Sequence, residues 1–139
     1  MNLDSSKKVL KLVGFLAIVA GVLGIVGGLL KAFYGSPVEG VAGYATAMNG
    51  GLVEFISGVC ILIEGIFSLG ASKDGKYATG AWLFACLGLF ESVFSVINLI
   101  TKGQLNGVHI FSIALALILS IIVDVAADTA RKAHNNGTY

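Results

Sequence analysis

Six polar residues stand where apolar ones would be expected. Glu54 and Glu64 interrupt one long apolar run and Glu91 a second, with Asn98 near the end of that second run, while His109 and Asp124 fall towards the two ends of a third. A carboxyl group in such a setting can take up and release a proton or bind a monovalent cation. In its neutral form it can instead act as hydrogen-bonding glue between helices. Other chemistry is poorly served. Glu54 and Glu64 are ten residues apart, too far along one helix to chelate one metal, and a lone His109 is more often a hydrogen-bonding residue than a ligand. There is no HExxH, no CxxC, and no Ser, His and Asp grouping at one depth. The Gly-Lys pair Gly75-Lys76 follows no strand, so it is not a phosphate loop. No catalytic residue, metal site or cofactor is expected, and the chain does not read as an enzyme.

The elements that must position these groups follow from composition. Of 139 residues, 56% are hydrophobic and only 12% charged, with a mean hydropathy of +0.89. A soluble chain of this size carries roughly 25% charged residues to cover its surface. An integral membrane protein is the consistent class. The net charge of +1 offers no electrostatic case for nucleic acid. Cys60 and Cys86 lie inside apolar runs and read as small embedded hydrophobes rather than disulfide partners.

Crossing the hydrocarbon takes about 20 apolar residues, and four runs are long enough. Their lengths, with no period-two alternation, predict helices over about 7–30, 49–70, 78–100 and 108–132. The first run is expected to be retained rather than cleaved, because Ala45-Thr46-Ala47 lies too far beyond it. If both termini and the second connection share one side, that side holds Lys7, Lys8, Lys11, Lys73, Lys76, Arg131 and Lys132. The other holds only Lys31 and Lys102, so both termini are expected in the cytoplasm, in the plasma (inner) membrane. Asp4-Ser5-Ser6 would cap the first helix, Asp128 would pair with Arg131 and Lys132, and residues 135–139 would form a flexible tail after a single domain over 1–134. The sequon Asn136-Gly137-Thr138 would go unused on the cytoplasmic side.

Helical geometry sorts each run into faces. The first shows a stripe of Gly14, Ala17, Gly21, Gly24 and Gly28, the type that lets backbones approach closely. The second gathers Glu54, Ser57, Gly58, Ile61, Glu64, Gly65 and Ser68, opposite Ile56, Cys60 and Phe67. The third gathers Gly80, Phe84, Gly88, Glu91, Ser95 and Asn98, opposite Trp82, Cys86 and Phe90. The fourth aligns His109, Ala116, Ser120, Asp124, Ala127 and Arg131. The economical solution is an all-α, antiparallel four-helix membrane bundle with these stripes inward. The acids and their neighbours would then form a ladder across the membrane in the order His109, Asn98, Glu54, Glu91, Glu64, Asp124. Alternatively, some stripes, the first helix's above all, would pack against another subunit.

The stretch Glu54-Phe55-Ile56-Ser57-Gly58, then Gly65, then Gly70-Ala71-Ser72-Lys73, resembles the second-helix pattern of small uncharacterised four-span bacterial membrane proteins. Those proteins have glycine-rich hairpins and a short basic turn between helices two and three. The likeness continues through Gly88 towards Asn98 and covers about the middle half of the chain. A fainter resemblance, in Ile56-Ser57-Gly58 and Asn98, is to the membrane-spanning four-domain family of animal cell-surface proteins. That family implies a dimeric tetraspan with regulatory or scaffolding roles, although this chain lacks its long external loop.

Two functions are consistent with these features. One is a structural, scaffolding or regulatory tetraspan, assembling as a homo-oligomer or with a partner membrane protein through its glycine stripes in contact with lipid. The other is a small transporter or channel in which Glu91, with Glu54 and Glu64, binds protons or monovalent cations.

Overall fold

The computed structural model describes the backbone of residues 1–34, 40–102 and 107–139. It describes their side chains apart from 40–50, 91, 92, 95, 98, 99, 102, 107–113, 115 and 116. The described residues are all-α, with four helices and no strand: α1 (Leu3–Tyr34), α2 (Gly40–Ala71), α3 (Ala78–Lys102) and α4 (Gly107–Asn135). A 3-10 turn, Gly75–Tyr77, leads into α3. The second helix starts nine residues earlier than its apolar run implies. The segment from Gly40 to Met48 contains alanines, no proline and no charge, so the glycine penalty of about 1 kcal/mol per residue does not break it. The first helix is capped by Asn2, whose side-chain oxygen accepts from the Ser5 amide at 2.8 Å, rather than by Asp4, Ser5 or Ser6.

Helices α1 and α2 form the tightest pair. Gly14 faces Gly65, Gly21 faces Gly58 and Gly28 faces Gly51, antiparallel and at seven-residue intervals on both helices. A methyl group added at Gly14, Gly21 or Gly28 would lie 2.9, 2.8 or 2.7 Å from the carbonyl oxygen of its opposite glycine. Such distances require the two backbones to touch, which only a missing side chain permits. A strict seven-residue repeat also bends a helix pair into a left-handed supercoil. The glycine stripe of α1 is therefore covered within the chain. Gly51 belongs to the same ladder, whereas Gly24 sits at its edge, where an added methyl would meet the Gly58 Cα at 3.1 Å.

Helices α3 and α4 pack on this hairpin in an antiparallel ring, α1–α2–α3–α4. Their contact is alanine-rich: Ala78, Ala81 and Ala85 of α3 and Ala126, Ala127 and Ala130 of α4 are fully buried, with Val123, Leu10 and Ala71. Three side chains expected to face lipid turn inward instead. Phe67 stacks on Phe84 with ring centroids 5.7 Å apart and fills the space over Gly80. Trp82 carries the Arg131 guanidinium 4.0 Å from its ring centroid, and Cys86 bonds to Asp124. All three are apolar enough for lipid, so hydropathy could not tell the two sides of these helices apart.

The buried core lies at the end where both termini and the α2–α3 turn meet. The tail packs against this end. Gly137, at φ 68°, ends α4 in a Schellman motif, with the Gly137 and Thr138 amides donating to the His134 and Ala133 carbonyls. Tyr139 then folds back, its hydroxyl donating to the Ala71 carbonyl and its ring lying 4.0 Å under Lys7 Nζ. In the turn, Asp74 accepts from the Lys76 amide, and this bond together with the Lys76 ammonium holds its carboxyl below the ordinary value.

At the same end Asp128 pairs with Lys132 at 2.6 Å and Arg131 at 2.7 Å. Lys132 first, then Arg131, holds the Asp128 carboxyl below its ordinary value. A depressed folded-state value stabilises the fold above the unfolded value of about 3.9, and this contribution is lost as pH falls through the folded value. Melting curves of wild type and Asp128→Asn should therefore differ at pH 6 and converge as the pH is lowered below about 4.

Outward faces are apolar. The described residues include two stretches long and apolar enough to cross a membrane, α1 and the Gly51–Ala71 part of α2. In each, only 17% of the most apolar window is buried, whereas the core helix of a soluble protein would be mostly covered.

Candidate functional site

The side chain of Glu64 is placed by the glycine ladder. Gly65 is wedged against α1, where an added methyl would meet the Ile18 amide nitrogen at 2.7 Å. Its predecessor, about 100° back around the helix, turns into the bundle. Glu64 there lines two cavities at once. One, of about 230 Å³, lies between α1, α2 and α4 and is walled by Val13, Ala17, Ala20, Ile61, Leu119 and Val123, with the hydroxyl of Ser120. The other, of about 270 Å³, lies between α2 and α3 and is walled by Cys60, Ile61, Phe84, Leu87, Gly88 and Phe90. Among the described residues, neither is lined by Lys or Arg. Glu64 also makes an interaction within the protein.

Gly88 has a different part from the ladder glycines. An added methyl there would sit 3.4 Å from Ser120 Oγ and 3.9 Å from a Glu64 carboxylate oxygen, with no backbone in the way. Gly88 therefore leaves room beside two polar groups instead of bringing two helices together. Gly88→Ala should be accommodated with little change in melting temperature, in contrast to the ladder positions.

One turn towards the termini from Ser120, Asp124 accepts a bond from Cys86 Sγ at 3.3 Å. Beyond it stand Asp128 and the Arg131 guanidinium. Glu64 and Ser120 thus share one level, and Asp124 and Asp128 follow it at successive turns of α4 towards the termini.

The position of Glu54 departs from the interior ladder. Its carboxylate is 2.5 Å from Lys31 Nζ, and both side chains are about half exposed. The pair lies at the opposite end from the termini, where a long lysine can reach back along α1. Exposed ion pairs of this kind contribute about 0–1 kcal/mol. The side chains of Glu91, Asn98 and His109 lie outside the described residues. Among those described, no three His, Cys, Asp or Glu side chains come close enough to hold a metal ion.

Three features escaped the sequence patterns. Gly51 could have been found from the seven-residue spacing of 51, 58 and 65, which repeats that of 14, 21 and 28. Asn2 could have been found as a capping residue. The thiol of Cys86 as a donor to Asp124 carries no local signal, because the two are joined only by the α3–α4 packing.

No protein-family model, curated protein or solved structure matches this chain.

Proposed function

We propose that the chain is a multi-pass protein of the plasma (inner) membrane, crossing it four times with both termini in the cytoplasm, and that it has a structural, scaffolding or regulatory role. The observation that carries this reading is a rigid glycine-laddered hairpin inside a shell of exposed apolar side chains. Leu16 and Leu23 on α1, Val53 and Ile56 on α2, Leu87 and Phe90 on α3, and Ile118 and Ile121 on α4 are all exposed. Lipid removes the cost of exposing such residues, and close van der Waals packing then holds helices together. The gathering of seven of the nine basic residues towards one end supports the orientation. Because the α1 and α2 glycines face each other, a second copy or a partner membrane protein would meet these outward apolar faces, not the glycine stripes.

Single-molecule photobleaching of a fluorescent fusion in its membrane, with cross-linking of neighbours, tests this. Several bleaching steps, or one recurrent protein neighbour, are expected. Single-step bleaching with cross-links to lipid alone would end the assembly reading.

A second reading, coupling to protons or monovalent cations, is favoured by the position of Glu64 on two cavities. Flux in liposomes should then be present in wild type and lost in Glu64→Gln and Glu91→Gln. Equal flux in all three proteins would sink it.

A further inference from the structure

Seven basic side chains belong to the end of the molecule where the termini meet, and four are engaged within the chain. Lys7 lies over the Tyr139 ring, Lys76 pairs with Asp74, and Arg131 and Lys132 share Asp128. Lys8, Lys11 and Lys73 are exposed and form no ion pair among the described residues. Two of these three line a surface cleft of about 340 Å³, together with Leu12 and Phe15 of α1 and Leu69 of α2. Residues 8, 11, 12 and 15 form one stripe of α1 at three- and four-residue spacing, so the cleft is charged towards the terminus and apolar towards the middle of the helix. Its floor exists because Gly14 has no side chain. Leu69 occupies the space that a methyl at Gly14 would take, its amide nitrogen 2.7 Å from that position. The nearest acid along α1, Asp4, lies a full turn before Lys8 and is not part of the lining.

We infer that this cleft is a binding site for an anionic phospholipid. The headgroup phosphate lies between Lys8 and Lys11, and an acyl chain runs over Leu12, Phe15 and Leu69. A free phosphate or a soluble anion would have no use for the apolar floor, and a zwitterionic lipid would bring a cation against two lysines. The polarity of the cleft matches that of a lipid leaflet, with charge outside and hydrocarbon inside. Each lysine near an anionic surface increases affinity by about fivefold. This inference needs the chain to lie in a membrane but is independent of whether it assembles or conducts.

The test is a titration of the purified full chain in detergent micelles with phosphatidylglycerol, with phosphatidylcholine of the same acyl chains, and with inorganic phosphate, read by native mass spectrometry. Phosphatidylglycerol should bind preferentially, Lys8→Gln and Lys11→Gln should each weaken it about fivefold, and the double variant should bring it close to phosphatidylcholine. Lys73→Gln, outside the lining, should change it less than about twofold. Melting curves should show all variants folded, because none of these side chains is buried. Equal losses from all three lysines would replace the cleft with a diffuse charge effect and overturn the inference. So would equal binding of the two lipids, or displacement of phosphatidylglycerol by inorganic phosphate at similar concentration. If the preference appears as described while photobleaching yields single steps, the lipid site stands and the assembly reading falls.

Discussion

Gly21→Leu is expected to destabilise the α1–α2 hairpin by about 3 kcal/mol or more, at or beyond the upper end of ordinary overpacking. The first added atom would lie 2.5 Å from the Leu62 amide nitrogen and 2.8 Å from the Gly58 carbonyl oxygen. Both are backbone atoms of a continuous helix, so no rotamer change can relieve the clash. The helices must separate, and separation also loosens the neighbouring Gly14–Gly65 and Gly28–Gly51 contacts. Gly27→Leu is the matched control, because nothing lies within 4 Å of its added methyl. Thermal unfolding of the two variants in the same detergent checks the prediction. Similar melting temperatures would mean that the glycine ladder does not hold the hairpin together.

Tyr139→Ala should cost about 2 kcal/mol, from loss of one net hydrogen bond and one partly exposed cation–π contact together with ring burial. The hydroxyl serves the carbonyl of Ala71, which is fully buried at the end of α2, and the ring packs on the buried cluster around Leu10. Tyr139→Phe keeps the ring and should lose about half as much, through the unmet carbonyl alone. Unfolding curves of the three proteins separate the contributions. An alanine variant as stable as wild type would show that the docked tail contributes nothing to the fold.

The parts of the fold legible in the sequence were those decided by composition over many residues. Four apolar runs implied four helices, and four antiparallel helices put both termini and the middle turn at one end, where the basic residues gather. The small residues of α1 and α2 mark surfaces of close approach, and Gly51 extends the α2 surface by one further seven-residue step. Phe67, Trp82 and Cys86 turn towards the other helices instead of away from them, whereas Gly80, Phe84 and Gly88 face inward and Phe90 is exposed as the pattern implies. A helix lined by lipid on one side and by helices on the other is apolar all round, so hydrophobic periodicity carries little information about which side is which. Alanines mark the true contact surface of α3, because Ala78, Ala81 and Ala85 let α4 come close.

The polar residues divide in the same way. That Glu64 sits among apolar neighbours is evident from the chain alone. That it lines cavities on both sides, beside Ser120 and the open space at Gly88, depends on three other helices. Glu54 is as embedded in sequence as Glu64, yet pairs with Lys31, because the antiparallel hairpin brings residues 23 positions apart to one level.

Local chemistry thus set the number of helices, their approximate lengths and which ends lie together, since each depends on the length and number of the apolar runs. Which stripe meets which, in what register, and which side chains turn towards the other helices were decided only by packing. Three glycines on α1 can meet three on α2 as a continuous seven-residue ladder only when Gly14, Gly21 and Gly28 lie against Gly65, Gly58 and Gly51. That register, a property of two helices together, aligns Glu64, the two cavities and the basic cleft.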